Sequence, residues 1–186
     1  TAEAAAVFDL DGRNVIYSKN AFERLYPASI TKVMTALVAI KYGNLADEVT
    51  VTDEAVITES GATLAGIEPG DRLTLEQLLY DAGAAIAVHM AGSIEKFADL
   101  MNEEARSLGA VDTHFVNPHG LTDSDHYTTA YDLYLIFNEA LKQPVFRTVI
   151  GTTSYTANYH NGAGESVSKT WSGGNWYMTG DRQEPE

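Results

Sequence analysis

A serine and a lysine three residues apart can together carry acyl-transfer chemistry, and this spacing occurs at 29–32, 93–96 and 166–169. Residues three apart on a helix share a face, so the amine lies one turn beneath the hydroxyl. The helix predicted to begin at Ser29, SITKVMTALVAIKYG, is apolar nearly all round and is therefore predicted to be buried. Burial desolvates the ammonium of Lys32 and favours a neutral amine. The pattern predicts Ser29 as a nucleophile and Lys32 as its base.

The other two Ser-x-x-Lys sequences have simpler interpretations. Ser93 opens the amphipathic helix SIEKFADLMNEEARSLG, where a serine hydroxyl caps the free backbone N–H groups of the first turn. Ser166 follows the turn-rich NGAGE and is expected in a loop or at a strand edge, where no helix aligns it with Lys169. Neither serine is predicted to be catalytic.

Asp9 and Asp11, followed by Gly12, suggest a different chemistry. Asp-x-Asp-Gly after an apolar strand resembles the signature of haloacid dehalogenase phosphatases, in which two carboxylates hold Mg²⁺. In this chain a second β-type run, RNVIYS, follows directly. Asp-Gly between two such runs is a strong hairpin signal, because glycine accepts positive φ without steric cost. We therefore favour a hairpin with Asp11 and Gly12 in its turn.

Composition excludes several classes of function. Twelve Lys and Arg against 26 Asp and Glu give a net charge of −14. The basic residues form no cluster, so nucleic-acid binding is excluded. Without cysteine there is no disulfide, thiolate metal site or cysteine nucleophile. The five histidines form no i, i+4 pair, so we predict no metal and no cofactor. His119 and His126 are expected to pack within a loop, and His89 to be structural.

Local signals predict the order of the elements. The initial hairpin is followed by a long helical middle, in which Thr74 and Gln77 match a capping box. Gly43 and Gly109 are expected just after helix ends. Pro144 is expected to stop the helix TTAYDLYLIFNEAL, after which FRTVIGTTSYTANYHNGAGE indicates strand and loop. This order predicts one α+β unit whose sheet is built from both ends of the chain.

The segment YPASITKVMTALVAI closely resembles the active-site serine segment of D-alanyl-D-alanine carboxypeptidases, the low-molecular-weight penicillin-binding proteins. Other segments resemble that family in the same order: AAAVFDLDGRNVIYSKN, GDRLTLEQLLY, AGSIEKFADLMNEEARSLG, FVNPHGL and HYTTAYDL. The resemblance implies an α+β fold of the β-lactamase/transpeptidase type, with an antiparallel sheet flanked by helices plus a helical subdomain. It also implies an acyl-serine enzyme with Ser29 and Lys32 as catalytic residues.

Two of the three motifs of that family are absent. A Ser-x-Asn motif is expected between LEQLLY and DAGAAIAVHMAGS, yet Tyr80 is followed directly by Asp81, and roughly eight residues of the usual segment are lacking there. The sequence KTW at 169–171 carries tryptophan where the Lys-Thr-Gly motif needs glycine for close approach of substrate. We therefore predict that residues 1–186 are a single, incomplete penicillin-binding catalytic domain, with a gap between Tyr80 and Asp81 and without its C-terminal strands. The alternative is a chain with true deletions that is inactive.

For the complete enzyme, the resemblance implies removal of the terminal D-Ala from peptidoglycan stem peptides through an acyl-serine intermediate. It implies β-lactams as covalent inhibitors, an extracytoplasmic location at the cell envelope, and membrane contact only through a part outside this sequence. One alternative is a β-lactamase-like hydrolase, for which no Glu-bearing deacylation loop is found. Another alternative is a non-catalytic relative that keeps the fold.

Overall fold

The computed structural model describes residues 2–10, 14–56 and 66–172. Six α-helices and six strands lie in these ranges. The helices are α1 (Thr31–Tyr42), α2 (Leu75–Leu78), α3 (Gly83–Ala91), α4 (Ile94–Ser107), α5 (Ala130–Ala140) and α6 (Pro144–Ile150). The strands are β1 (Ala5–Asp9), β2 (Asn14–Lys19), β3 (Glu48–Thr50), β4 (Arg72–Thr74), β5 (Ser154–His160) and β6 (Ser166–Ser172). No helix within these ranges has the length and apolar character needed to cross a bilayer.

The first two strands form the antiparallel hairpin that the sequence predicts. The register runs from Ala5 opposite Lys19 to Asp9 opposite Asn14, with an irregularity between Val7 and Phe8. The predicted turn residues 11 and 12 lie outside the described residues. Every residue of β2 is exposed, so this hairpin covers the helical layer with β1 alone.

The remaining four strands form a second antiparallel sheet in the order β3-β4-β5-β6. The prediction of one sheet built from both ends of the chain is therefore wrong for the described residues. β5 pairs instead with β4 from the middle of the chain, through Arg72 opposite His160, and β6 pairs with β5. Ala157 and Tyr159 on β5 are buried in the same core as Leu73 of β4, and this apolar surface favours the pairing.

Helix α1 lies at the centre of the core. It buries seven residues and contacts α3, α4, α5 and α6. Helix α4 is amphipathic as predicted and buries Phe97 and Met101 completely. Because α1 is surrounded on most sides, its N-terminal end is held in a fixed place relative to the loops around it.

Helix starts follow the predicted caps. The Thr74 hydroxyl accepts a hydrogen bond from the N–H of Gln77, and the Gln77 side chain accepts one from the N–H of Thr74, which completes the capping box of α2. The Ser93 hydroxyl accepts a hydrogen bond from the N–H of Lys96 at 3.2 Å. The N-cap interpretation of Ser93 is therefore confirmed.

Gly43 and Gly109 follow the ends of α1 and α4, as predicted, and Gly109 has a left-handed φ of +83°. Gly43 directly follows α1 with φ of −92°, a value that does not itself require glycine. A Cβ at Gly43 would instead lie 2.6 Å from Leu75 Cδ2, so lack of space favours glycine there. Pro144 does follow the end of α5, but it also begins α6, because proline is well suited to the first helical position.

Candidate active site

Ser29 lies on the surface at the start of the most buried helix. A 3₁₀ turn, Ala28–Ile30, leads directly into α1, and Ser29 is exposed within it. Further along α1, Leu37 and Val38 are completely buried. The buried helix α1 thus anchors the turn that precedes it, while Ser29 itself stays exposed to solvent. The N–H groups of a first helical turn also lack partners inside the helix and favour negative charge.

The residue before Ser29 has an unusual backbone conformation. Ala28 has φ of +48°, in the left-handed region that costs a non-glycine residue about 1–2 kcal/mol. Its carbonyl oxygen accepts a hydrogen bond from the N–H of Thr31. Upstream, Leu25 and Thr128 exchange two backbone hydrogen bonds, of 2.9 and 3.0 Å, which tie this segment to the protein. Such strain persists where the surroundings hold the backbone in place, and it is common at active sites.

Lys32 lies one turn beyond Ser29, as predicted, but it is not isolated in apolar surroundings. Its Nζ donates a hydrogen bond to Asp81 Oδ1 at 3.0 Å, and the two side chains are 32% and 17% exposed. Among the described residues, Ser29 Oγ and Lys32 Nζ form no hydrogen bond with each other. The structure thus differs from the expected apolar surroundings, since Lys32 is paired with the carboxylate of Asp81. The catalytic roles of Ser29 and Lys32 stay predictions.

The partner of Lys32 comes from the junction at which residues were predicted to be missing. In the turn after α2, the Asp81 N–H donates to Leu78 O at 3.3 Å and the Ala82 N–H to the same oxygen at 2.9 Å. This turn leads into α3 and brings the Asp81 carboxylate beside α1. The predicted gap between Tyr80 and Asp81 stays a prediction.

A buried histidine supports the first turn of α1. His126 Nδ1 accepts a hydrogen bond from the N–H of Val116 at 3.1 Å, so Nε2 carries the hydrogen and donates to Thr31 Oγ1 at 2.7 Å. Burial lowers the pKa of His126 to about 4, with a further contribution from nearby His119. His126 is therefore neutral at pH 7. The sequence placed it in a loop but gave no sign of Thr31 as its partner.

His119 is the second histidine near the site. Its Nδ1 accepts a hydrogen bond from the N–H of Leu121 at 3.3 Å. Its pKa is lowered to about 4, first by burial and then by the positive charge of Lys32. The imidazole is therefore neutral and lies within electrostatic reach of Lys32. The sequence predicted only a packing role for this residue.

The other Ser-x-x-Lys sequences do not form comparable sites. Ser166 and Lys169 both lie on β6, where the ammonium of Lys169 donates to the carbonyl oxygen of Gly66. Trp171 is buried and stacks with Tyr155 at a centroid distance of 6.2 Å. The described ranges also contain no group of three or more His, Cys, Asp or Glu that could hold a metal ion.

Comparison with known proteins places this site in a family. The sequence model of the D-alanyl-D-alanine carboxypeptidases, peptidase family S11, matches residues 1–178. The chain belongs to this family. Ser29 and Lys32 lie in the part that matches, so the family resemblance stated from the sequence is confirmed.

Several members of the D-alanyl-D-alanine carboxypeptidase family are similar along most of the chain. The carboxypeptidase DacF of Bacillus subtilis is 33% identical over 180 residues, covering 90% of this chain and 44% of DacF. DacA of Escherichia coli K12 is 35% identical over 152 residues, covering 73% of this chain and 38% of DacA. The chain thus spans less than half the length of these two relatives.

Solved structures from the same family share the fold. The crystal structure of the Streptomyces K15 DD-transpeptidase superposes with a TM-score of 0.87 at 29% identity, covering 97% of this chain and 77% of the other. A point mutant of that enzyme gives a TM-score of 0.88. The α+β fold of the penicillin-binding type, with helices and antiparallel sheets, is therefore confirmed.

Proposed function

We propose that this protein is a serine-type D-alanyl-D-alanine carboxypeptidase that removes the terminal D-Ala from peptidoglycan stem peptides. One observation carries the proposal: in a chain of this family, an exposed Ser29 lies in the 3₁₀ turn that leads into the buried helix α1, and Lys32 follows three residues later in the first turn of α1. An anchored nucleophile beside an amine is the arrangement that acyl transfer through serine requires.

The reaction proceeds through an ester on Ser29. Lys32, as a neutral amine, accepts the proton of the Ser29 hydroxyl while Oγ attacks the carbonyl carbon of the penultimate D-Ala. The N–H of Ser29 donates to the developing oxyanion. The peptide bond breaks, the leaving D-Ala amine takes the proton from Lys32, and water then hydrolyses the ester. Lys32 acts as a base only after its ion pair with Asp81 has opened and its Nζ has given up a proton to solvent, since an ammonium has no free electron pair.

Fluorescent penicillin tests the proposal, since a β-lactam acylates the same serine. The wild-type chain is expected to gain the mass of one penicillin, on the peptide that contains Ser29. Ser29→Ala should lose the label, while Ser93→Ala, which removes a helix cap from another Ser-x-x-Lys sequence, should keep it. Label that persists on Ser29→Ala rejects Ser29 as the nucleophile, and a wild-type chain that gains no adduct rejects acyl transfer for this chain.

A non-catalytic penicillin-binding relative is the second candidate. It is favoured by the ion pair of Lys32 with Asp81 at 3.0 Å, because Nζ is there bonded to a carboxylate and not to the Ser29 hydroxyl. Such a protein would bind a muropeptide ending in D-Ala-D-Ala without releasing D-Ala. Equilibrium binding measured together with an enzymatic assay for free D-alanine separates the two functions.

We also infer that the protein acts outside the cytoplasmic membrane, because the wall peptides it is proposed to cleave are found there. This agrees with the names of the cell-wall relatives DacF and DacA, which are D-alanyl-D-alanine carboxypeptidases. Labelling intact host cells with a membrane-impermeant penicillin tests this location. Label that appears only after cell lysis would contradict it.

A further inference from the structure

The loop that follows α4, here called the 116–121 loop, lies against the segment that carries Ser29. Thr35 Oγ1 on α1 donates to Pro118 O at 2.7 Å. The N–H of Val116, at the start of the loop, is bonded to His126, whose other ring nitrogen is bonded to Thr31. Thr31 and Thr35 are one turn apart on α1, so the loop contacts this side of the helix directly at Thr35 and through His126 at Thr31.

The 116–121 loop is held in shape by a buried asparagine. Asn117 Oδ1 accepts hydrogen bonds from the N–H groups of His119 at 3.3 Å and Gly120 at 2.7 Å. Asn117 Nδ2 donates to Leu121 O at 2.9 Å. On its other side the loop meets α3 closely, since a Cβ at Gly83 would lie 3.0 Å from Pro118 O. The loop is therefore a preformed surface and not a segment that adapts to Ser29.

Gly120 is the point at which this surface meets the nucleophile segment. It has φ of +88°, and a Cβ built there would overlap the carbonyl group of Ala28 and lie 2.9 Å from the backbone nitrogen of Ser29. The Ala28 carbonyl oxygen also accepts a hydrogen bond from the N–H of Thr31. The Ala28–Ser29 peptide, with the strained φ of Ala28, thus lies against the backbone of Gly120 and is hydrogen-bonded to that of Thr31.

We propose that Gly120 is a positioning residue for Ser29. Because it carries no side chain, its backbone can lie directly against the Ala28–Ser29 peptide and fix the direction of the Ser29 N–H and Oγ. These are the two groups that the acyl-transfer step needs in a defined orientation. This inference rests on the proposed function for its catalytic consequence, but the position of the Ser29 amide can be measured without any reaction.

The test compares Gly120→Ala with Gly92→Ala in the full chain. Gly92 has a similar φ of +81°, but a Cβ there meets no atom within 4 Å, so this control carries the same backbone cost without the overlap. In protein labelled with ¹⁵N-serine, the amide resonance of Ser29 is assigned by its loss in Ser29→Ala. It should move in Gly120→Ala and stay in place in Gly92→Ala.

Acylation by fluorescent penicillin gives the second measurement. Gly120→Ala should lower the acylation rate constant between about tenfold and a hundredfold, with little change in the concentration for half-saturation. Gly92→Ala should acylate like the wild type. If the wild-type chain is not acylated at all, the proposed function fails, while the Ser29 resonance still decides the positioning role.

A third variant covers the case in which Gly120→Ala does not fold. Thr35→Val removes one hydrogen bond to the 116–121 loop and nearly preserves side-chain volume, and it should move the Ser29 resonance in a folded protein. An unmoved Ser29 resonance in whichever of the two variants folds overturns the inference. It is also overturned if Gly120→Ala and Gly92→Ala lower the acylation rate equally.

Discussion

The titration of His126 should make the stability of the protein depend on pH. The ring is buried, with 1% of its surface exposed, and its pKa lies at about 4 in the folded chain against an ordinary 6.5. Burial is the largest cause and the neighbouring His119 adds to it, whereas Asp123 acts in the opposite direction. As the pH falls, the unfolded chain therefore binds a proton at His126 before the folded chain does. Stability is fully present above about pH 7 and is lost as the pH falls towards 4.

The size of the effect follows from the two pKa values. At 1.36 kcal/mol for each pKa unit, the complete loss attributable to His126 is about 3 kcal/mol. About 2 kcal/mol of this should be lost between about pH 8 and about pH 5, before most carboxylates titrate. His119, with a pKa also lowered to about 4, should add a loss of the same sign.

Urea unfolding at about pH 8 and about pH 5 measures this effect. The free energy of unfolding should fall between the two pH values in both the wild type and His126→Gln. The fall should be about 2 kcal/mol larger in the wild type. The compared quantity is the change with pH, since the substitution also removes two hydrogen bonds at both pH values. His160→Gln replaces an exposed histidine on β5 and is the control. Its free energy of unfolding should fall between the two pH values by the same amount as that of the wild type. Equal falls for wild type and His126→Gln would refute the link between His126 and acid stability.

Two further predictions concern the core. Lys41→Met leaves the buried carboxylate of Glu104 without its 2.6 Å ion pair and should lower the free energy of unfolding by about 3 kcal/mol. Lys142→Met removes one partner of an exposed ion pair and should change the free energy of unfolding by under about 1 kcal/mol. Phe97→Ala should cost about 3–5 kcal/mol and Phe22→Ala under about 1 kcal/mol, because only Phe97 is fully buried. Urea unfolding measures all four, and equal costs within either pair would contradict the reasoning.

The features that were predictable from the sequence depend on neighbours along the chain. Thr74 and Ser93 bond to N–H groups three residues away, and Gly109 supplies a left-handed φ directly after a helix. Such local interactions are present in any chain with the same few residues. The same holds for the spacing of Ser29 and Lys32, which a single helical turn determines.

The features that were not predictable depend on residues that are distant in sequence. Lys32 meets Asp81 only because α3, which follows Asp81, packs against α1, and the two residues are 49 positions apart. Gly120 contacts the segment before Ser29 only after α4 and the following loop have folded over it. In the same way, β5 pairs with β4 because the buried side chains of both strands complete one core, and periodicity within either strand gives no information on its partner.

The exposed strand β2 has a consequence for the behaviour of the protein in solution. Its Ile16 is 68% exposed, and within the described residues β2 pairs with β1 alone, so its outer edge can receive a strand from another molecule. The net charge of −14 opposes such an encounter by repulsion between molecules. Salt reduces the range of that repulsion to about 8 Å at physiological ionic strength. Any association through this edge is therefore expected to increase with ionic strength, because repulsion keeps the molecules apart in dilute buffer and salt weakens it.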